Sequence, residues 1–369
     1  MHPLGPRRFR RREFSSRERN VIFSSSGDKI FIAGRFAGSQ RASPLAACLL
    51  PPYARGMRLL GTGGAGFIGR HITEYFQHRA EVRVLDNLRS GLKSNLSGLN
   101  CQFMVDSILD RDFVREAMKG VDFVFHLAAM VSVQESVQKP NECAGINTGG
   151  TAIVLEEAAR ARVKKLVFSS SAAIYGDNPT IPKIESMPAE PKSPYATSKY
   201  QAERHCHSFS DDGRLGTVSL RYFNVFGPYQ DPTSEYSAAV PAFIEKAIKN
   251  EPITIFGDGR QTRDFIYVKD VVAANAFFAL ETQASGVFNV ACGRQITITD
   301  LALTIRNLTK SNSTIDYGAE RSGDVKHSGA DLHKTPNAGF RPVCGVAGGL
   351  RTTLQFCRER MRTTGTGSN

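Results

Sequence analysis

The 369-residue chain has no tryptophan, and its seven cysteines (48, 101, 143, 206, 292, 344 and 357) include no CxxC pair. That spacing argues against a zinc site and against a dense disulfide framework, so no metal is expected and a reducing cytoplasm suits the chain. Long apolar runs are missing too: nothing approaches the roughly 18 uninterrupted apolar residues of a membrane helix, and a soluble protein with no membrane partner is expected. Internal repeats are absent. What is present is ordinary globular material, 41% hydrophobic and 22% charged, in a length that suits one large domain plus a smaller one.

Acidic residues are scarce at one end only. Of the net charge of +12, residues 1–56 carry +8, with eleven Lys or Arg against Glu13, Glu18 and Asp28. The remaining 313 residues carry only +4, so the folded body has no polyanion signature and no nucleic-acid partner is expected for it. Residues 1–56 sustain no helical or strand period and read as a basic, mostly disordered extension. Three readings of it stay open: a targeting segment, a nucleic-acid arm, or translation from an upstream start with Met57 as the true beginning.

From Met57 onward strands alternate with helices. Arg58-Leu59-Leu60 is a short strand, residues 63–69 are a glycine turn, and Ile72 to Gln77 form the body of a helix. Further strands are expected at Val82 to Leu85, Gln102 to Val105, Phe123 to Leu127, Leu166 to Phe168 and Val218 to Tyr222. This alternation predicts an α/β fold, a Rossmann-like doubly wound parallel sheet over residues 57–227. Beyond Gly227 the order changes: helices are expected at Val240 to Asn250 and Val271 to Leu280, and strands at Ile253 to Phe256, Phe265 to Val268 and Val287 to Val290. Thr299-Asp300 is expected to cap a helix running through Leu308. We assign 228–261 and 293–360 to a smaller substrate-binding domain, about 262–292 to a segment returning to the large domain, and 361–369 to a frayed tail.

Two stretches carry chemistry. In the first, Gly63, Gly66 and Gly69, with Phe67 and Ile68 among the turn's cofactor contacts, follow a strand and open a helix, so that backbone amides can approach a pyrophosphate at the positive helix N-terminus. Asp86 ends the next strand, 17 residues after Gly69, where a carboxylate accepts both hydroxyls of an adenosine ribose and repels a 2′-phosphate; NAD is therefore favoured over NADP, with Arg89 close enough to weaken the preference. His126-Leu127-Ala128-Ala129 closes a later strand with small residues that admit a cofactor backbone; His126 itself reads as a satisfied core histidine.

In the second, Ser169-Ser170-Ser171 end an apolar run from Val163 to Phe168, and Tyr195-Ala196-Thr197-Ser198-Lys199 follows. Tyr195 and Lys199, four apart, share one face of a helix. An ammonium so placed is expected to lower the phenol below its usual value of about 10 and make it a base, with Ser171 at a strand's carboxyl end donating to the same substrate oxygen.

Together with DNLRSG at 86–91, FHLAA at 125–129, RYFNVFGPYQDP at 221–232, GDGRQTRDFIYVKDV at 257–271 and RSGDVKHSGAD at 321–331, these motifs resemble the extended short-chain dehydrogenase/reductases, and within them the NAD-dependent UDP-glucose and UDP-N-acetylglucosamine 4-epimerases. The resemblance covers about residues 57–358. It implies Ser171, Tyr195 and Lys199 as the catalytic group, with Lys199 also holding the nicotinamide ribose. It implies cofactor contacts from the glycine turn, Asp86, Asn87, Ser107, Ile108, Leu127, Ala128 and Ala129, and substrate contacts from Ser132, Ser171, Asn224, Ala238, Val240, Arg263, Arg321, Asp324 and Ser328. In the family such arginines neutralise the diphosphate of UDP and the aspartate meets its ribose. A homodimer is the family expectation, formed by the helix near 145–161 and the one bearing Tyr195. Two departures stand out: Leu60-Gly61 ends the first strand without a β-branched residue, and 343–349 lacks the family's acidic residues, which puts the start of the C-terminal helix in doubt.

The resemblance also bears on the reaction. Related dehydratases and decarboxylases carry an acidic residue just after the catalytic Ser or Thr, whereas this chain has Ala172 and Ala173. The expected outcome is inversion at carbon 4 through a transient ketone, with no net redox. A small residue at 328, with Ser132 and Ala238, implies room for an N-acetyl group, so UDP-N-acetylhexosamines are expected beside UDP-glucose and UDP-galactose. The rivals are a UDP-hexuronate 4-epimerase and, from another class, a non-catalytic NAD-binding or RNA-binding protein on the same scaffold.

Overall fold

The computed structural model describes residues 56–231, 239–320 and 326–365, with side chains to Arg362. The expected sites Ala238, Arg321 and Asp324, and the basic extension through residue 55, lie outside the described residues.

Seven strands form the central sheet: β1 (Arg58–Thr62), β2 (Glu81–Leu85), β3 (Gln102–Met104), β4 (Phe123–His126), β5 (Lys165–Ser171), β6 (Gly216–Tyr222) and, arriving late in the chain, a strand at Gly286–Val290. The order is β3-β2-β1-β4-β5-β6 followed by the late strand, and every pairing is parallel. Chain direction across the sheet reverses between β1 and β4, and the carboxyl ends there flank the crevice in which such sheets bind ligands. Gly61 costs β1 little, because both its neighbours pair with it in register, Gly61 with Val84 and with Phe125.

β5 is buried along almost its whole length and runs on through the serines, ending at Ser171. A strand covered on both faces is apolar over most of its length, as at Leu166, Val167 and Phe168, and the buried Ser169 and Ser170 hydroxyls are bonded to Tyr222 and Glu203; Leu60, Leu85, Val124, Leu166 and Phe168 pack with Val154, Leu155 and Ala158 in one core. A second core gathers Phe226, Val240, Ile255, Phe265, Leu301 and Leu350. It lies under two small sheets. One joins β7 (Asn224–Phe226) and β9 (Thr262–Tyr267) in parallel, with Gln295–Thr297 antiparallel to β9; the other pairs β8 (Ile253–Phe256) with Ile315–Gly318. The late strand of the central sheet is thus β10, Gln295–Thr297 is β11 and Ile315–Gly318 is β12.

Several boundaries differ from the sequence expectation for local reasons. The helix expected to be capped by Thr299-Asp300 starts earlier, at Ile298, because the Thr297 hydroxyl accepts the Asp300 N–H at 3.0 Å and donates to the Asp300 carboxylate at 2.7 Å. The C-terminal helix begins at Val346 without acidic residues in its first turn. Packing supplies what capping does not: a Cβ on Gly349 would lie 2.7 Å from the Tyr267 ring and 2.8 Å from that of Phe226, so only glycine lets the helix sit this close to the second core. Among the described residues no helix is long and apolar enough to cross a membrane.

Candidate active site

The glycine turn links β1 to the helix Phe67–Phe76 at the reversal of strand order. Its glycines have different duties. Gly63 has φ +70°, and a Cβ there would meet the Ala128 amide nitrogen at 2.6 Å; one on Gly69 would meet the Gly63 carbonyl oxygen at 2.3 Å. Gly63 is needed to close the turn against the chain leaving β4, Gly69 to close it on itself, and Gly64 to seat it against Val84 of β2, at 2.6 Å. Gly66 is different, since a Cβ there would find only the Gly63 oxygen at 3.2 Å. Gly66 precedes the helix start, and no side chain caps it, which leaves the first-turn N–H groups of Phe67, Ile68 and Gly69 for an anion.

Asp86 is buried beside this turn. One oxygen accepts the Ala65 N–H at 3.0 Å and the other the Leu88 N–H at 2.8 Å. Burial pushes its carboxyl up while these two bonds pull it down. Each oxygen keeps a lone pair for a ribose hydroxyl. Arg89 does not hang free beside it: its guanidinium reaches Glu142 at 2.5 Å and Glu135 at 2.6 Å. The cradle that a Cβ would fill, the uncapped helix and the carboxylate with spare lone pairs together fit a dinucleotide.

The other expected cofactor contacts are dispersed. Leu127 donates to the Thr62 carbonyl at 3.1 Å, Ala128 donates to the Thr62 hydroxyl at 3.3 Å, and Leu127, Ala128 and Ala129 are half-buried beside Gly63. Asn87 is exposed and accepts the Arg89 N–H at 3.1 Å. The Ser107 hydroxyl accepts the Leu109 N–H, and the Ile108 side chain belongs to the first core, so Ile108 offers a ligand its backbone alone.

His126 is a core residue, as read. Its Nδ1 lies 2.6 Å from the Thr62 hydroxyl and its Nε2 lies 2.9 Å from that of Thr151, which donates onward to the Asn147 carbonyl. Thr151 can then only accept from Nε2–H, so Thr62 donates to Nδ1. Burial, with the Lys199 charge adding to it, pushes His126 down to about 3.

β5 delivers Ser171 to the sheet's carboxyl edge, where its hydroxyl accepts the Ala173 N–H at 3.1 Å. The helix Pro194–Asp211 is started by Ser193, which accepts the Ala196 N–H at 3.1 Å, with Pro194 in the first turn. Tyr195 and Lys199 follow on one face. The Tyr195 N–H donates to the buried Ser136 hydroxyl at 3.1 Å. Between them, Ser198 donates to the Tyr195 carbonyl at 2.8 Å and accepts from Asn147 at 2.9 Å. Asn147 sits in the wide turn Gly145–Gly149 and also brackets Met130, accepting its N–H at 2.7 Å and donating to its carbonyl at 3.0 Å.

The electrostatics differ from the sequence expectation. Burial raises the Tyr195 phenol, and the influence that lowers it is hydrogen bonding with Ser171. Lys199 is turned elsewhere, donating from Nζ to the Ser169 carbonyl at 2.8 Å. Desolvation lowers Lys199 to about 8, so it is still mostly protonated at neutral pH. Spacing along a helix fixed which side chains share a face; burial, which spacing does not report, decided the direction of the shift.

The expected substrate contacts gather in part. Asn224 donates to the Asp264 carbonyl at 3.1 Å, tying β7 to β9. Arg263, on β9, donates to the Thr262 carbonyl at 2.9 Å. The Ser328 N–H donates to that same carbonyl at 3.0 Å. Ser132 stands apart as the cap of the helix Val133–Gln138, accepting the Glu135 N–H at 3.1 Å. Val240 is fully buried in the second core, so its side chain is unavailable to a ligand.

Sequence reasoning missed Asp264. It is wholly buried and accepts N–H groups of Cys292 and Gly293, both at 2.9 Å, and of Ala330 at 3.5 Å; burial pushes it up to about 6. Through Ala330 it steadies the strap 326–331, which also runs beside Lys183. Nothing local in the sequence announces such a hub, because all three partners are distant in the chain.

Comparison with known proteins agrees with this geometry. Residues 59–291 match the NAD dependent epimerase/dehydratase family. A UDP-glucose 4-epimerase of Mycolicibacterium smegmatis is 33% identical over 314 residues, which is 82% of this chain and 99% of that one. Among solved structures, a UDP-N-acetylglucosamine 4-epimerase from Methanobrevibacter ruminantium, in complex with UDP-N-acetylmuramic acid, is 38% identical and covers 84% of this chain and 100% of its own, with a TM-score of 0.81. A Thermotoga maritima UDP-glucose 4-epimerase with UDP-glucose is 37% identical, covering 83% of this chain and 100% of its own, with a TM-score of 0.79. A sheet wound in this order, a glycine cradle made for a dinucleotide and kinship over most of the folded chain lead to one assignment: the protein belongs to the NAD dependent epimerase/dehydratase family, as an NAD-using enzyme of the UDP-sugar 4-epimerase type.

Proposed function

We propose that the enzyme inverts carbon 4 of UDP-hexoses through a transient 4-ketone, acting on UDP-glucose and UDP-galactose and on their N-acetylated counterparts. The observation that carries this reading is that β5 ends at Ser171 while Tyr195 and Lys199 share one face of the helix Pro194–Asp211, with Ser171 bearing on the Tyr195 phenol, beside two alanines, 172 and 173, that can neither give nor take a proton.

Bound NAD supplies the hydride acceptor at carbon 4. Tyr195 accepts the proton of the sugar's 4-hydroxyl, and Ser171 donates to the same oxygen. Lys199 has one ammonium hydrogen on the Ser169 carbonyl, which leaves two for the hydroxyls of a ribose, and the Ser171 hydroxyl is the group that favours the phenolate. With Ala172 and Ala173 in the neighbouring positions, no acidic side chain there diverts the ketone, and Tyr195 would return its proton to the 4-oxygen as the alcohol is re-formed.

Arg263 and Asn224 on the β7–β9 sheet, with Ser328 on the strap, are assigned to the UDP-sugar; Arg321 and Asp324 are assigned with them from sequence. The small Ser328 leaves space for an acetamido group. We assign the enzyme to the cytoplasm and to a homodimer through the helices near 145–161 and 194–211.

Proton NMR of product equilibria tests the reading, with UDP-galactose, UDP-N-acetylgalactosamine and UDP-galacturonate supplied separately. The first two are expected to equilibrate with their gluco epimers. Turnover of the uronate alone would replace this reading with the hexuronate one.

A further inference from the structure

Tyr195 and Lys199 do not exhaust the face they share. Four residues on, Glu203 emerges from the same side of the helix Pro194–Asp211, and it is 4% exposed. Its carboxylate does three things. It receives both Nε (3.0 Å) and Nη2 (2.6 Å) of Arg221 on β6, itself 3% exposed, and it accepts the Ser170 hydroxyl at 2.8 Å. Arg221 and Ser170 are directly paired in the sheet. One carboxylate therefore grips two adjacent strands at the same level, one residue before Ser171.

A buried ion pair is weak evidence for stability, since desolvating both charges offsets most of their attraction. What a bidentate pair supplies is geometry. The helix meets the end of β5 through two bonds only one turn apart, Lys199 to the Ser169 carbonyl and Glu203 to the Ser170 hydroxyl. The other side of the strand end is tied differently: Ser169 meets the Tyr222 hydroxyl at 3.1 Å, and Tyr222 meets Asn275 of the helix Val268–Leu280. Among the described residues, the Glu203 and Lys199 hydrogen bonds join this helix to the end of β5 on that side, in addition to the apolar packing of Ala202 and Cys206 in the first core.

We propose that Glu203 is a positioning residue for proton transfer, holding the helix in register with β5 so that the Tyr195 phenol stays against Ser171. The inference rests on the assignment of Ser171 and Tyr195 as the reacting pair. The charged and titratable neighbours are Arg221 and Cys206 around Glu203, Tyr175 and then Glu185 beyond Arg221, Cys143 around Tyr195, and Cys143, Cys206 and His126 around Lys199.

The test compares holoenzyme variants Ser170→Ala, Glu203→Gln, Glu203→Gln/Arg221→Gln and, as control, Tyr222→Phe, by thermal unfolding and by the pH dependence of kcat with UDP-galactose. The double variant removes the buried arginine charge that Glu203→Gln leaves without its partner. For Ser170→Ala, kcat is expected to fall about tenfold, the scale of a small misplacement of a reacting group. KM should stay within about twofold, and the basic shift of the pH profile should be at least half a unit, because the Ser171 contact that lowers the phenol is loosened. Both Glu203 variants should behave likewise. Tyr222→Phe should lose thermal stability with its pH profile unmoved. Wild-type profiles in Ser170→Ala and in the double variant would overturn the proposal, as would an equal shift in Tyr222→Phe. Full activity of Tyr195→Phe would instead overturn the assignment beneath it.

Discussion

Lys199 donates from Nζ to the carbonyl oxygen of Ser169 at 2.8 Å, across 30 residues of sequence and two residues before Ser171. A buried ammonium is costly unless paired, and no carboxylate is among the groups that shift it. Holding that charge ready opposes folding.

The sign of the cost can be measured. Lys199 falls from 10.5 unfolded to about 8 folded, so between these values the unfolded chain binds more protons and stability rises with pH. Below pH 8 the full penalty applies, about 3 kcal/mol at 1.4 kcal/mol per unit. Lys199→Met relieves it and leaves the Ser169 carbonyl short of a partner, a loss of about 1 kcal/mol. The cofactor-free variant is expected to be about 2 kcal/mol more stable than wild type at pH 7, with the difference gone near pH 10, and to be inactive. Denaturant melts at both pH values check this; a less stable variant at pH 7 would contradict it.

The glycines of the turn should separate by phenotype. Gly69→Ala drives a Cβ to 2.3 Å from the Gly63 oxygen, and backbone cannot yield as a side chain can, so a loss of about 2 to 3 kcal/mol is expected. Gly66→Ala meets only a 3.2 Å contact. It should fold within about 1 kcal/mol of wild type and bind NAD at least tenfold more weakly, because its methyl faces the space the pyrophosphate would occupy. Calorimetric titration of NAD, alongside melting curves, distinguishes the two.

Ser328 governs the sugar in our reading. Ser328→Tyr is expected to abolish turnover of the acetylated pair and to leave UDP-galactose within about threefold of wild type, since steric exclusion acts only on the larger group. Equal loss of both substrates would remove Ser328 from the pocket.

Gly349 decides whether the C-terminal helix docks. Gly349→Ala places a methyl among Tyr267 and Phe226, and overpacking of this kind costs about 1 to 3 kcal/mol. The exposed Gly348, where an added Cβ meets nothing within 4 Å, should gain about 0.5 kcal/mol or more on the same change, because alanine favours the helix. Urea unfolding of both variants provides the contrast.

Much of this arrangement was legible before folding. Glycine spacing before a helix, an aspartate ending the second strand, and tyrosine and lysine four apart are local patterns, governed by sterics and periodicity over a few residues. They suffice to predict which residues form the glycine turn and which share the helix face assigned to the reaction. The same period of four extends to Glu203, and a longer look along that face would have found it.

Other properties belong to the tertiary structure alone. Whether Tyr195 is raised or lowered, whether Gly66 or Gly69 closes the turn, and why Asp264 is buried all depend on groups brought in from distant strands and loops. Chain order prescribes which side chains can share a face, because the helix and strand repeats are short-range. Packing prescribes desolvation and partners, because those depend on what fills the space around a group, and that space is bounded by residues far away in the sequence.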